Sequence, residues 1–186
     1  MKTRFMSIFL PLIGISILLM GCERASQPVG MLPTTDTKQA NAMIGALSDS
    51  GVTGMAVFTQ NGDQITVLIE VQGASPGLHG VHIHAYGDCS APDGTSAGGH
   101  WNPTDVAHGK WGEGEFHLGD IGNITVGADG TGNITLTTDL WEIGTGSDVD
   151  VVGKSIIVHA DADDFVSQPS GNAGARIGCG VIVLAE

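Results

Sequence analysis

Between residues 65 and 72 the side chains switch character at nearly every step. Ile65, Val67, Ile69 and Val71 alternate with Thr66, Leu68, Glu70 and Gln72, mostly the period of a strand with one wet face. No window of the chain carries a long apolar repeat of period 3.6, so almost no helix is expected. Asn61-Gly62, between MAVFTQ and DQITVLIEV, is a strong hairpin signal. Asp129-Gly130, between NITVGA and TGNITLTTD, is a second. Further strands are expected at 41–47, 80–86, 155–160 and 178–185. Short strands separated by glycine-rich turns imply an all-β sandwich or barrel. Two stretches do not fit strands, 87–119 and 161–176, both long, glycine-rich and polar. Loops of that length inside a compact domain usually carry function.

A chain of 186 residues holds one domain of ordinary size, placed here at residues 40–186. The charge balance is acidic, 7 Lys+Arg against 20 Asp+Glu, a formal −13. Such a surface argues against nucleic acid as a partner, because phosphate binding needs a basic face. Residues 1–21 read as an export signal: Lys2 and Arg4 precede an apolar stretch from Phe5 to Met20, broken by Pro11 and Gly14. The stretch is too short and interrupted for a membrane-spanning helix. Leu19-Met20-Gly21-Cys22 resembles the bacterial lipoprotein cleavage box, which implies that Cys22 becomes the lipidated first residue of the mature protein. Glu23 follows where an aspartate would favour the inner membrane. The expected location is therefore the bacterial cell envelope, lipid-anchored on the periplasmic face of the outer membrane. Residues 22–39 are polar, contain proline and lack a period, as a flexible tether would. A coil of that length spans roughly 25 Å on average. If Cys22 carries lipid, Cys89 and Cys179 remain as an even pair in an oxidising compartment. A bridge between them would contribute up to about 4.6 kcal/mol in the chain-entropy model; the alternative is two buried thiols.

Six of the seven histidines, with one aspartate, stand out as candidate metal ligands, and all but three of the seven lie in the first long loop or at its edge. They are His82 and His84 in GLHGVHIHAYGD, His100 in GGHWNP, His108, then His117 and Asp120 in FHLGD, and His159 in IIVHADADD. Residues two apart on a strand point to one side, so His82 and His84 project together while Val81, Ile83 and Ala85 face the core. A lone His-x-His is weak evidence of a metal site; joined to four more histidines and a carboxylate it is strong. Imidazole suits both copper and zinc, and four nitrogens in a near-planar set suit Cu(II). Three histidines with one carboxylate make a tetrahedral zinc site. Seven residues for eight coordination positions require one ligand to serve both ions, which an imidazolate can do. His79 is left over, and a structural hydrogen bond is the reading for it. Asn123-Ile124-Thr125 and Asn133-Ile134-Thr135 match the glycosylation acceptor pattern and are read as chance.

The run from GLHGVHIHAYGDC through GGHWNP, the spacing His100-x7-His108-x8-His117-x2-Asp120, IIVHADADD and GNAGARIGCGVI together resemble copper/zinc superoxide dismutases across nearly all of residues 40–186. The resemblance implies a Greek-key eight-stranded β-barrel or sandwich with long metal-binding and active-site loops. It implies that His82, His84, His100 and His159 hold a copper ion and that His100, His108, His117 and Asp120 hold a zinc ion, with His100 bridging. It gives Asp163 the place of a carboxylate bonded to His82 and His108, pairs Cys89 with Cys179, and makes Arg176 the guanidinium that attracts the anionic substrate. The implied reaction converts superoxide to oxygen and hydrogen peroxide through a Cu(II)/Cu(I) cycle, with a proton passing through His100. A copper-binding or copper-delivery protein on the same scaffold is the alternative, and a domain merely holding zinc a third reading. One departure stands out. The segments 89–100 and 160–176 contain no lysine, so steering of superoxide is expected to be weak and local, with Lys110 and Lys154 as candidate helpers. No motif decides between a monomer and a homodimer.

Overall fold

The computed structural model describes residues 37–186; the readings placed on residues 1–36, Cys22 among them, lie outside the described residues. The first strand, β1, covers Gln39–Ala46. It is followed by β2 at Thr53–Asn61, β3 at Gln64–Gln72 and β4 at Gly77–His84. After a long loop come β5 at Gly122–Val126, β6 at Thr131–Thr138, β7 at Ser155–His159, β8 at Arg176–Val181 and β9 at Val183–Leu184. The only helical turn among the described residues is a 3₁₀ turn at Thr95–Ala97.

The strands are antiparallel and run β2-β3-β6-β5-β4-β7-β8-β1, and pairing of β1 with β2 closes the ring. β9 prolongs β8 beyond Ile182: β8 pairs with Gly45 and Ala46 of β1, and β9 with Ala40 and Asn41. The result is a closed eight-stranded barrel. β3 neighbours β6 instead of β4, and β4 neighbours β7. The connections 73–76 and 139–154 therefore pass across the barrel, the Greek-key arrangement.

The alternation in β3 behaves as its sequence requires. Ile65, Val67, Ile69 and Val71 are buried while Leu68, Glu70 and Gln72 are exposed. Phe58, Val81, Ile83, Ile124, Ile156 and Val158 fill the same interior. The β2–β3 turn sits one residue later than the Asn-Gly signal suggested. Asn61 pairs with Gln64, so Gly62 and Asp63 form the loop. Gly62 has φ 61° and Asp63 a negative φ, the pattern of a II′ turn with glycine first. β4 ends at His84, two residues short of the expected strand, because the amides of Ala85 and Tyr86 bond the carbonyls of Gly99 and Ala97. The expected loops are the β4–β5 and β7–β8 connections. A third long connection, 139–154, was not read from the sequence. It is fastened by Asp150, whose carboxylate accepts from the amides of Gly144, Thr145, Gly146 and Val152 at 2.7–3.0 Å.

Candidate metal centre

β4 is buried on both sides from His79 to His84, as its neighbour β7 is along its whole length. Val81 and Ile83 enter the barrel. His82 and His84 point outward, where the two long loops cover them. The first loop is fastened to this strand by its backbone. The Trp101 amide bonds the Ile83 carbonyl at 2.8 Å, and the Ile83 amide bonds the Gly119 carbonyl at 2.9 Å. This seats His100 opposite His84 as an isolated β-bridge. Gly119 has no room for a side chain: a Cβ there would run into the Ile83 carbonyl oxygen. His159 comes from the end of β7, beside β4.

The structure brings the seven candidate metal-binding residues together. His82, His84, His100 and His159 form one group, and His100, His108, His117 and Asp120 a second; within each, one ligand atom per residue lies within 4.8 Å of the others. His100 belongs to both. On five of the six rings, one nitrogen is held by an acceptor outside the groups. His82 Nε2 meets Asp163 Oδ2 at 2.8 Å and His108 Nε2 meets Asp163 Oδ1 at 3.0 Å. His84 Nδ1 meets the Gly98 carbonyl at 2.9 Å, His117 Nε2 that of Val106 at 3.1 Å, and His159 Nδ1 that of Gly174 at 3.4 Å. A nitrogen facing such an acceptor carries a proton, which leaves the opposite nitrogen as the one available to a metal. Those opposite atoms, Nδ1 of His82, His108 and His117 and Nε2 of His84 and His159, are buried without a hydrogen bond, as is His100 Nε2. His100 Nδ1 lies 2.8 Å from Asp120 Oδ1, and His108 Nδ1 lies 3.0 Å from Asp120 Oδ2. Buried polar atoms are rarely left unpaired. Six imidazole nitrogens orphaned at one place form a ready donor set for two cations, with its outer partners already in position.

Electrostatics point the same way. Burial holds His84 well below the usual histidine range, with His100 adding to the effect. Burial likewise lowers His100 to about 4 and His159 to about 3. These rings are therefore neutral at physiological pH, as metal ligands must be. Burial opposes ionisation of Asp120 and Asp163, yet hydrogen bonds from the surrounding histidines outweigh it and keep both far below the carboxylate range. The same two carboxylates overcome burial to raise His108 to about 9. Two buried anions demand positive charge; a bound cation supplies it without a proton.

A cavity of about 410 Å³ opens onto this centre, walled in part by His84, His100, His159, Gln168 and Arg176. Arg176 is half-buried, and its Nη1 donates to the Gly94 carbonyl at 2.6 Å. Gly94 belongs to the segment that the Cys89–Cys179 disulfide ties to β8. Lys110 instead pairs with Glu113 at 2.6 Å, and Lys154 lies 5.8 Å over the Trp101 ring; neither lines the cavity. A larger groove of about 580 Å³ on the barrel's outer wall contains Met43, Met55 and Glu70 but no histidine, so its size carries no argument for chemistry. His79 is structural, as read: its Nδ1 lies 2.9 Å from the His159 carbonyl and its Nε2 2.8 Å from that of Ser75.

Two positioning contacts were not read from the sequence. The Gln168 side chain bonds both backbone groups of His108. The Asn123 side chain does the same for Asp163, at 2.9 and 2.7 Å. Only the second had a visible motif, and it was the glycosylation pattern, which the occupied amide argues against. Neither could be found without knowing which loops meet.

A closed β-barrel carrying two histidine-rich groups that share His100 and could each hold a cation narrows the chain to a small class of metalloproteins. Its residues 52–182 match the family model described as copper/zinc superoxide dismutase (SODC). It is also similar to the extracellular superoxide dismutase [Cu-Zn] of Brugia pahangi, 38% identical over 162 residues that cover 81% of this chain and 79% of the relative. The chain belongs to the copper/zinc superoxide dismutase family. It is accordingly an oxidoreductase whose cofactors are copper and zinc and whose substrate is superoxide.

Proposed function

We propose that His82, His84, His100 and His159 hold copper, that His100, His108, His117 and Asp120 hold zinc, and that this centre turns two superoxide ions and two protons into one oxygen and one hydrogen peroxide. When bound, copper supplies a reversible one-electron couple and zinc a redox-inert positive charge. The chain's residues do the rest. Arg176 places a fixed positive charge at the cavity wall, where an anion would enter. Asp163 sets the tautomer and tilt of His82 and His108 together, one oxygen for each ring. His100 can hold a proton at Nε2, the nitrogen without a protein partner, while Nδ1 stays on the Asp120 side. Burial lowers the affinity of that ring for a proton, so the proton is readily surrendered to the departing peroxide.

The observation that carries this reading is the convergence of six orphaned imidazole nitrogens into two groups that share one ring. Its test is metal analysis of the purified protein together with superoxide consumption. One copper and one zinc per chain with fast turnover is the expected result. Zinc alone, with no turnover after copper is added, defeats it.

The same proposal includes export and lipid anchoring. The disulfide between Cys89 and Cys179 is of the kind that persists outside the reducing cytosol, and the relative from Brugia pahangi is named extracellular. The lipoprotein-type box at Cys22 supports an envelope anchor on residues 22–39. Metabolic labelling with a fatty acid tests it: the native chain takes up label and sediments with membranes, and Cys22→Ser does neither.

A further inference from the structure

Gln168 is an exposed residue of the β7–β8 loop, yet its amide closes on one residue of the other loop. Its Oε1 accepts from the His108 amide at 2.9 Å, and its Nε2 donates to the His108 carbonyl at 2.9 Å. Nε2 also donates to the Val166 carbonyl at 3.2 Å, which fixes which way round the amide sits. Satisfying both backbone groups of a residue fixes it much as a strand partner would. The His108 ring is meanwhile held through Nε2 by Asp163, from the same loop as Gln168. Backbone and ring are thus both gripped from one segment, and Nδ1 is the single ring atom left to face Asp120. Gln168 also forms part of the cavity wall.

We infer that Gln168 is a positioning residue for the zinc group, aiming His108 through its backbone and joining that ligand to the wall of the substrate cavity. The inference rests on the assignment of His100, His108, His117 and Asp120 to zinc. Partners that orient ligands commonly change metal affinity by about 10–100-fold. Gln168→Ala removes the amide; Gln168→Met keeps the bulk and loses both bonds. Competition with a chromophoric zinc chelator should show the zinc dissociation constant raised roughly tenfold or more in both variants. Cobalt(II) placed in the same group should show displaced d–d bands in both. Wild-type zinc affinity in the Met variant, or cobalt bands unchanged from those of the native protein, overturns the inference. Failure of the native protein itself to take up zinc at this group would instead overturn the assignment beneath it.

Discussion

Asp163 illustrates how much one side chain controls at this centre. Each of its oxygens holds a histidine from a different metal group, His82 in one and His108 in the other. Asp163→Ala should therefore lower affinity for both ions, by about 10–100-fold on the pattern of such outer partners, which equilibrium dialysis against each metal measures. Arg176→Ala should leave metal content intact and reduce kcat/KM on the order of tenfold, the lower end of what local charge contributes to an anion's arrival. The titrating rings also set a pH dependence for the metal-free protein. His100 and His159 have folded values of about 4 and about 3, against about 6.5 unfolded. The unfolded chain thus binds more protons between pH 6.5 and 3, and stability falls as pH drops through that window. His108, raised to about 9, has the opposite sign: its contribution is complete below pH 6.5 and is lost as pH rises past 9. Denaturant unfolding of metal-free protein from pH 4 to 10 should trace a maximum between those limits. The residues of both groups were legible in the sequence because histidine is scarce and strand geometry fixes where His82 and His84 point. The amides of Gln168 and Asn123 were not, since glutamine and asparagine mean nothing until a partner backbone is beside them.

Loops decide whether these side chains meet. In the β7–β8 connection Gly171 has φ 65°, a conformation that favours glycine. A Cβ there would run into Asp163 Oδ1 and lie 2.8 Å from His108 Nε2. Gly171→Ala should consequently separate Asp163 from His108 and cost zinc at least as severely as loss of Asp163 itself, while circular dichroism of the barrel stays unchanged; uptake of zinc at native level would refute this. The elements themselves were readable to different degrees. β3 and its hairpin were plain from period and turn residues. The 139–154 connection was not seen as a loop, because Trp141, Ile143 and Val151 are buried and supply apolar signal without a strand. Trp141 packs inward and donates from Nε1 to the Leu118 carbonyl at 2.9 Å. What folds that segment is the Asp150 carboxylate gathering amides, a contact that hydrophobic period does not report.

The molecule as a whole is an acidic body, −13 by formal charge, that must admit an anion. Among the described residues Arg176 is the one lysine or arginine on the cavity wall, and Lys110 and Lys154 are engaged elsewhere. Attraction is therefore short-ranged and competes with a repulsive background. Added salt should lower kcat/KM by less than the tenfold or more, on that order, that strong steering produces, and stopped-flow measurement across ionic strength checks it; a steep fall that survives Lys110→Ala and Lys154→Ala would disprove it. The barrel's closure has a different consequence. Ala185 donates its amide to the Gln39 carbonyl at 2.9 Å, and Leu184 lies opposite Ala40, so entry and exit of the described chain lie on two paired strands. A ring has no privileged starting point. A short linker from Glu186 to Thr37, with the chain reopened between Gly62 and Asp63, would preserve every ladder except one tight turn, and the circularly permuted protein should assemble the same histidine cage from a reordered gene.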